Sequence, residues 1–570
     1  MPRIASSAAD RQLNRRDVAV AIGLFALAVA LFANSLGHEF VWDDTAVIRD
    51  NPFLRERGAW WHCFGRDFGL EIIRRPVGYY RPVVFLSFLL NYAEGGLHPF
   101  AYHAANVWLH GLNTVLVFCL LGRLAGRRIG TLAAAFFAVH PVHAESVAFI
   151  AGRSDLLCAC FLLLSLLATA RSFEARRGAR AAWQGAALFA YAAALLSKEL
   201  AVALPGVLLA YGLIHRFRFR TILALCAPTA VVAALYLGFR FCVLPMALVD
   251  QSSLSLDSEF ASRGARLLFY YAAQQVFPVI PTLGAKVLAR RLWVDVAAVA
   301  LLVLLLAVAR PRRLATDAAA WLAMFLAPAL WVSLFAGIEL SDRFAYVPSV
   351  GICALAAIAV ARYWERVRLV RVALAILLAA FALLSFYYGR MWRNPISLWR
   401  ASIAYHPQSG RSYYNLGNAY WGAGMRTEAA PMLRKAVRLS ADDESRFRAC
   451  ANLAQLLAES GEDALAIEYC RRGLKIRPDR TQLRRLLAEL FSNRGQHDNA
   501  IDELQTTLRF APKNPDVHLD LAREYLAIRP AQLDRARQHY QHALELGAPT
   551  DETIEAAIAA AEAGRSSDSP

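Results

Sequence analysis

The feature that most constrains this chain is a succession of apolar runs between Val18 and Tyr388. Each approaches the ~20 residues that cross a bilayer as a helix. After Arg390 the composition turns abruptly to charged, Leu- and Ala-rich, helix-forming sequence. Hydrophobic residues make up 57% of the 570 positions, too many for an ordinary soluble protein. The expected fold class is therefore all-α. A polytopic transmembrane domain over 17–388, with about eleven spans, precedes a soluble helical domain.

Basic residues set the orientation. Arg3, Arg11, Arg15 and Arg16 precede the first run. That run exceeds the ~7–15 apolar residues of a signal-peptide core, so it reads as an uncleaved span with residues 1–16 in the cytoplasm. The positive-inside rule then makes 38–99 a long outer loop. Spans follow at about 100–122, 129–148 and 154–171, then a pair meeting outside at Ser197–Glu199, then 221–242. An outside loop carries Asp250, Asp257 and Glu259. The segment 264–281 is broken by Gln274, Gln275, Pro278 and Pro281 and reads as interfacial or re-entrant. This leaves Lys286, Arg290 and Arg291 outside but keeps Arg310, Arg312, Arg313, Arg362, Arg366, Arg368 and Arg371 inside. Spans at 292–309, 318–337, 344–361 and 372–388 complete the count and place the soluble tail outside. The net charge of +17, from 62 Lys and Arg against 45 Asp and Glu, is accounted for by these basic span ends meeting anionic lipid. No nucleic-acid motif accompanies it, and no nucleic-acid partner is expected. The nine cysteines show no paired C-x-x-C spacing and read as small apolar fillers.

Charged groups are costly in a bilayer and usually functional. Here they gather at the predicted outer ends. Asp43 and Asp44 follow the first span, and Tyr80 and Arg81 close the first loop. His140, His143, Glu145, Arg153 and Asp155 form the second outer loop, and Lys198 and Glu199 the third. Glu339, Asp342 and Arg343 precede Tyr346. On the second span His103, Asn106, His110 and Asn113 share one helical face. They either satisfy interhelical hydrogen bonds or line a polar cavity beneath the acidic pair. Any one of these charges could be a solvated loop residue; their accumulation on one surface is harder to dismiss. The set suits transfer from a membrane-anchored phosphate donor. A carboxylate can take the proton of an attacking hydroxyl, and arginine or lysine can hold phosphate and stabilise a leaving charge. Adjacent carboxylates such as Asp43 and Asp44 can also hold a divalent ion.

The tail is repetitive. Leu416-Gly417, Leu453-Ala454, Leu487-Ala488 and Leu521-Ala522 recur at intervals of 37, 34 and 34 residues. A large residue follows each (Tyr420, Leu457, Phe491, Tyr525), then a small one (Ala429, Ala466, Ala500, Ala536). The first three units also carry a turn glycine, Gly424, Gly461 and Gly495. This is the tetratricopeptide pattern of helix–turn–helix units. Four repeats are expected over 409–548, stacked as an α-solenoid whose concave face binds peptide or protein, or else serves to dimerise or dock the chain. Residues 389–408, with Trp392, Arg393, Trp399 and His406, read as an interfacial connector. Residues 549–570 read as a tail, disordered from Gly564 to Pro570.

The motifs in order carry a resemblance. FVWDD at Phe40–Asp44, YRPV at Tyr80–Val83 and LHP at Leu97–Pro99 come first, with His103 and His110. HPVHAESV at His140–Val147 and GRSD at Gly152–Asp155 follow. SKE at Ser197–Glu199, DRFAYVPS at Asp342–Ser349, and Trp392-Arg393 complete the set. Together with the repeats, the chain over about 17–545 resembles a bacterial member of the transmembrane and tetratricopeptide-repeat O-mannosyltransferases, which are GT-C-class glycosyltransferases. The resemblance implies inverting transfer of a sugar, mannose in the animal family, from a polyprenyl-phosphate donor. The active site would face the non-cytoplasmic side, here the periplasmic side of an inner membrane. One acid of Asp43 and Asp44 would be the base. Arg81, Arg343 and Lys198 are the candidates for the donor phosphate. Tyr80, His103, His110, His140, His143, Glu145, Arg153, Asp155, Glu199 and Tyr346 would form the supporting polar site. The implied partners are the lipid donor, membrane lipids, and a protein acceptor held by the repeats. The family pattern has Glu-Arg where this chain has Asp342-Arg343, so no direct role falls to Asp342. Two other readings compete: a transferase acting on lipid or envelope glycan, and a non-catalytic membrane-anchored scaffold. A pure anchor needs no clustered ionisable groups. A transporter predicts mid-bilayer charges and broken helices in paired halves, and the membrane part shows no clear internal repeat.

Overall fold

A computed structural model describes residues 14–56, 58–65, 80–243, 260–276, 278, 292–335, 341–528 and 530–567. The expected features at Arg3, Arg11, Asp250, Asp257, Glu259, Pro281, Lys286, Arg290, Arg291 and Glu339 lie outside these residues. The described residues contain no strand. The chain divides into two compact units, Met1–Tyr405 and His406–Pro570.

In the first unit α1 (Arg15–Phe32) starts at a capping box, Asn14 accepting from the Asp17 amide. A short 3-10 turn extends it to Gly37. The expected first outer loop holds a helix of its own, α2 (Pro82–Gly95), with Pro82 opening its first turn. Phe85 and Phe88 of α2 pack with Phe53, Ile48 and Leu54, so the loop has an apolar core. Alternation of short turns and one apolar helix hid this from the hydropathy pattern.

The central element is α3 (Pro99–Ala125). It packs against α1, α4 (Arg127–Val139), α5 (His143–Ala148) and α6 (Arg153–Glu174). The expected third span, 129–148, is not one helix. Helix α4 has 13 residues, about 20 Å at 1.5 Å per residue, short of the ~30 Å hydrocarbon core. His140 breaks it in an extended conformation, and α5 and a 3-10 turn at Ile150–Gly152 continue the chain. Helices α7 (Arg177–Leu195), α8 (Leu204–Ile214), α9 (Phe219–Val243), α10 (Phe260–Val276), α11 (Leu292–Val308), α12 (Arg312–Phe335), α13 (Ser349–Tyr363), α14 (Arg368–Met391) and α15 (Pro395–Tyr405) complete the unit. Among the described residues, five helical stretches are long and apolar enough to cross a membrane: Arg15–Gly37, Pro99–Ala125, Ile150–Glu174, Phe219–Cys242 and Arg368–Met391. Three shorter apolar helices are Glu199–Ile214, Val296–Val308 and Ser349–Tyr363. Helices α4, α7 and α12 lie where three of the other spans are expected in the sequence.

The second unit pairs α16 (Gly410–Gly422) with α17 (Arg426–Leu439), α18 (Asp443–Glu459) with α19 (Asp463–Ile476), α20 (Thr481–Asn493) with α21 (His497–Phe510), and α22 (Pro515–Ala527) with α23 (Leu533–Glu545). Ala429, Ala466, Ala500 and Ala536 are fully buried between helices. Gly424, Gly461 and Gly495 turn the chain with φ between 70° and 76°, the left-handed region that glycine enters without steric cost. The expected tail is structured instead. Helix α24 (Glu552–Ser567) buries Ile554 against Leu519 and Tyr540, which covers the last repeat. Its Ala- and Glu-rich composition favours helix, and its one apolar stripe suffices as a cap. Residues 568–570 lie outside the described residues.

Helices α3 and α4 touch at glycine. A Cβ on Gly130 would stand 2.5 Å from the Gly122 amide nitrogen and 2.8 Å from the Phe118 carbonyl oxygen, whereas a Cβ on Gly122 would meet nothing within 4 Å. Gly130→Ala should therefore destabilise the detergent-solubilised protein by about 1–3 kcal/mol, the usual cost of overpacking, while Gly122→Ala leaves it unchanged. Thermal unfolding followed by size exclusion reads the difference.

Candidate active site

The two acids of the pair face different surroundings. Trp42 adopts φ 49°, a left-handed conformation that costs a bulky residue about 1–3 kcal/mol. Stacking holds it there. Its indole lies 5.7 Å from the Phe149 ring and 6.4 Å from Trp392, with Trp399 edge-on at 5.6 Å. The turn sends Asp44 inward, where it is fully buried. Asp44 Oδ1 accepts from the Ala151 amide at 2.9 Å and Oδ2 from the Val41 amide at 3.3 Å. Burial pushes its carboxyl up to about 8; the backbone donors oppose the shift, and the neighbouring Asp43 adds to it. Asp43 is half-buried. Asp44 thus pins the first loop to the turn at Ile150–Gly152, and Asp43 is the more exposed acid of the two. With both Asp44 oxygens bonded to backbone, the pair offers a divalent ion chiefly Asp43. Among the described residues no group of three His, Cys, Asp or Glu is placed to hold a metal.

A row of cations follows, each beside a carboxylate. Arg343 Nε lies 3.8 Å from Glu145 Oε1, and the Arg343 amide donates to Glu145 Oε2 at 3.3 Å. Ser341 donates to the same carboxylate. Lys198 Nζ donates to Asp155 Oδ1 at 2.5 Å. Burial lowers the Lys198 ammonium, and Asp155 opposes that shift. Arg81 Nη2 donates to Glu199 Oε2 at 3.0 Å. Aromatic rings join these pairs to the acidic turn. The Arg343 guanidinium lies 5.6 Å from the Phe149 ring on which Trp42 stacks, and 5.9 Å from Phe344. Lys198 Nζ stands 4.8 Å from that same Phe344 ring. The expected phosphate candidates Arg81, Lys198 and Arg343 therefore belong to one region. Tyr80 is buried beside them, its hydroxyl donating to the Phe64 carbonyl at 2.9 Å.

The second outer loop is not solvated. His140, His143, Glu145, Arg153 and Asp155 are all buried, because 140–155 folds back between helices. Gly152 permits this: a Cβ there would lie 2.6 Å from the Ser146 carbonyl oxygen. The polar stripe of α3 likewise lines no open cavity. Asn106 donates to the Phe149 carbonyl at 3.1 Å and accepts from Arg153 Nε at 2.7 Å. His110 Nδ1 meets the Tyr346 hydroxyl at 2.9 Å, and Asn113 donates to that hydroxyl at 3.1 Å. His143 Nε2 meets Ser349 Oγ at 2.8 Å, and His140 Nε2 meets the Gln275 carbonyl at 3.0 Å. A polar group in a bilayer must find a partner within the protein, and these residues find one another across α3, α5, α6, α10 and the turn before α13. His103 is brought beside His38, ring centroids 5.8 Å apart, and is fully buried.

One residue escaped the sequence reading. Arg240, near the end of α9, places Nη2 3.8 Å from Glu199 Oε1, so Glu199 stands between two arginines. The available signal was a basic residue at a predicted outer span end, where the positive-inside pattern disfavours one. Asp342 accepts from Gln274 Nε2 at 2.8 Å, which gives it a positioning contact on α10.

Residues 96–239 match the family model of the dolichyl-phosphate-mannose-protein mannosyltransferases, and 410–443 and 447–480 match the tetratricopeptide repeat. The human protein O-mannosyl-transferase TMTC4 is 27% identical over 477 residues, covering 71% of this chain and 64% of that protein. Human TMTC2 is 36% identical over 206 residues, covering 35% and 24%. Drosophila melanogaster Tmtc1 is 40% identical over 169 residues, covering 29% and 20%. The chain spans less than two thirds of the length of these relatives. A crystal structure of MamA protein, 21% identical with a TM-score of 0.25 and covering 26% of this chain and 80% of that one, is too slight a likeness to bear on the fold. The matches agree with the ordered motifs of the loops and with the repeats: the membrane body is similar to the protein O-mannosyl-transferases, and the tail carries tetratricopeptide repeats.

Proposed function

We propose that the chain is an inverting membrane glycosyltransferase that moves a sugar, mannose by its relatives' names, from a polyprenyl-phosphate donor to a serine or threonine hydroxyl of a protein held by the repeats. The site faces away from the cytoplasm, on the periplasmic side of a bacterial inner membrane. The observation that carries this reading is a row of carboxylate-steadied cations, Arg343, Lys198 and Arg81, joined through Phe344 and Phe149 to the Trp42 turn that carries the half-buried Asp43.

Asp43 takes the proton of the acceptor hydroxyl. The resulting oxygen attacks the anomeric carbon from the face opposite the phosphate. The bond from that carbon to the phosphate oxygen breaks, and its electron pair leaves on the polyprenyl phosphate. Arg81, Lys198 and Arg343 hold that growing negative charge, and the partly exposed Trp42, stacked on the buried Phe149 and Trp392, offers an aromatic surface for the sugar. In the second unit Asn452 Nδ2 donates to Tyr414 Oη at 3.0 Å and to Asn418 Oδ1 at 2.9 Å across α16 and α18. Such half-buried polar groups on the first helices of adjacent repeats support peptide binding.

The division between the acids is testable with radiolabelled polyprenyl-phosphate mannose and a protein acceptor. Asp43→Asn should lower transfer by about 100-fold or more with thermal stability unchanged. Asp44→Asn should also cost about 1–3 kcal/mol of stability, because an amide NH2 then faces a backbone N–H. No transfer by the wild type, with partner pull-down intact in both variants, would establish the scaffold instead.

Stability should also depend on pH through Asp44. Its carboxyl titrates at about 8 when folded against 3.8 ordinarily, so between those values the folded chain holds a proton that the unfolded chain releases. This contribution to stability falls as pH rises through that window. The stability gap between wild type and Asp44→Asn should therefore narrow from pH 5 to pH 8 in thermal melts. A third test removes residues 409–570: transfer to protein should be lost while hydrolysis of the donor persists.

A further inference from the structure

Away from the acidic pair, the first unit contains a cavity of about 420 Å³. It is enclosed by the far ends of α3 and α6, by α8, by the start of α12 and by α13. Arg123 lies on α3 twenty residues beyond His103, about 30 Å along the helix at 1.5 Å per residue. The cavity therefore belongs to the opposite side of the bilayer. Its walls are mainly apolar, with Leu208 and Ala354 among them.

Charged groups of both signs stand on these walls. Arg123 contacts the Glu174 carboxylate, and Asp317 Oδ2 meets His215 Nε2 at 2.9 Å. Each pair leaves a valence over. Arg123 Nε and Asp317 Oδ1 are both buried with no hydrogen-bond partner among the described residues. Buried polar atoms are rarely left so. One unused donor and one unused acceptor on an apolar cavity ask for a ligand that carries both signs on a hydrocarbon body. An anion alone would meet Asp317 and Glu174, and a plain hydrocarbon would satisfy neither atom.

We propose that this cavity binds a phospholipid with a zwitterionic, amine-bearing head group from the leaflet opposite Asp43. The phosphate lies toward Arg123, the ammonium donates to Asp317 Oδ1, and an acyl chain fills the apolar walls. The ammonium is essential to the fit, because a trimethylated head group has no N–H to donate.

The test uses the full-length protein, delipidated in mild detergent and returned to phosphatidylethanolamine, phosphatidylcholine or phosphatidylglycerol. Native mass spectrometry counts retained lipid, and thermal unfolding reads its effect. Phosphatidylethanolamine should be retained about tenfold more tightly than either other lipid, the worth of one charge-assisted hydrogen bond, and should raise Tm most. Asp317→Asn should abolish that preference. Equal retention of the three lipids by wild type would overturn the proposal, as would a preference that survives Asp317→Asn. If Asp317→Asn does not fold, Ala354→Leu decides. It fills the cavity without touching a charge, so loss of the bound lipid supports the site and undiminished retention refutes it.

Discussion

The membrane unit depends on one buried carboxylate. Asp44 reaches from the end of the first span to the backbone of Ala151, more than a hundred residues later. Two backbone N–H groups meet its two oxygens, and the surrounding apolar core excludes water. That tie adds a polar anchor to the apolar core in which Phe40, Ile48 and Phe53 of the first loop pack with Ile150 of the turn before α6. With it, Trp42 is held against Phe149 and Trp392 in a conformation it would not take alone. The greater exposure of Asp43 is thus a by-product of where Asp44 is anchored.

Further in, the polar residues act as cross-braces. Asn106, His110, Asn113, His143 and Tyr346 join helices that have no hydrophobic incentive to associate within lipid. Their hydrogen bonds run from α3 to the turn before α13, and Arg153 extends the network to Asn91 on α2. The cations of the site stand at the outer edge of this frame, so their positions are inherited from helix packing and not from a flexible loop. Rigid placement of this kind is what a charge-stabilising site requires.

Much of this was legible from residues alone. The apolar runs marked the helices, and the Leu-Ala recurrences near Leu453, Leu487 and Leu521 marked the repeats, because each pattern reflects a local period. The ordered motifs marked the likeness to the O-mannosyl-transferases. Burial was not legible. Hydropathy places His140, His143, Glu145, Arg153 and Asp155 in water, since it cannot anticipate that each will find a partner from a distant helix. The unlike roles of Asp43 and Asp44 were hidden for the same reason, as the distinguishing contact comes from Ala151. Arg240 was hidden because its partner, Glu199, already looked paired with its own neighbourhood. Helix α24 was masked by a serine-rich end that resembles a tail.

The pairing of every phosphate candidate with a carboxylate has a further consequence. Arg81, Lys198 and Arg343 are close to neutralised by Glu199, Asp155 and Glu145. The site therefore projects little field into solution, and its ion pairs lie within distances that dissolved salt scarcely screens. On the function proposed above, an arriving phosphate would be received by exchange of counterions, the carboxylates loosening as the donor's oxygens take their place. Capture would then depend on diffusion of the donor within the membrane and hardly at all on ionic strength, unlike in enzymes that draw soluble phosphates across long distances.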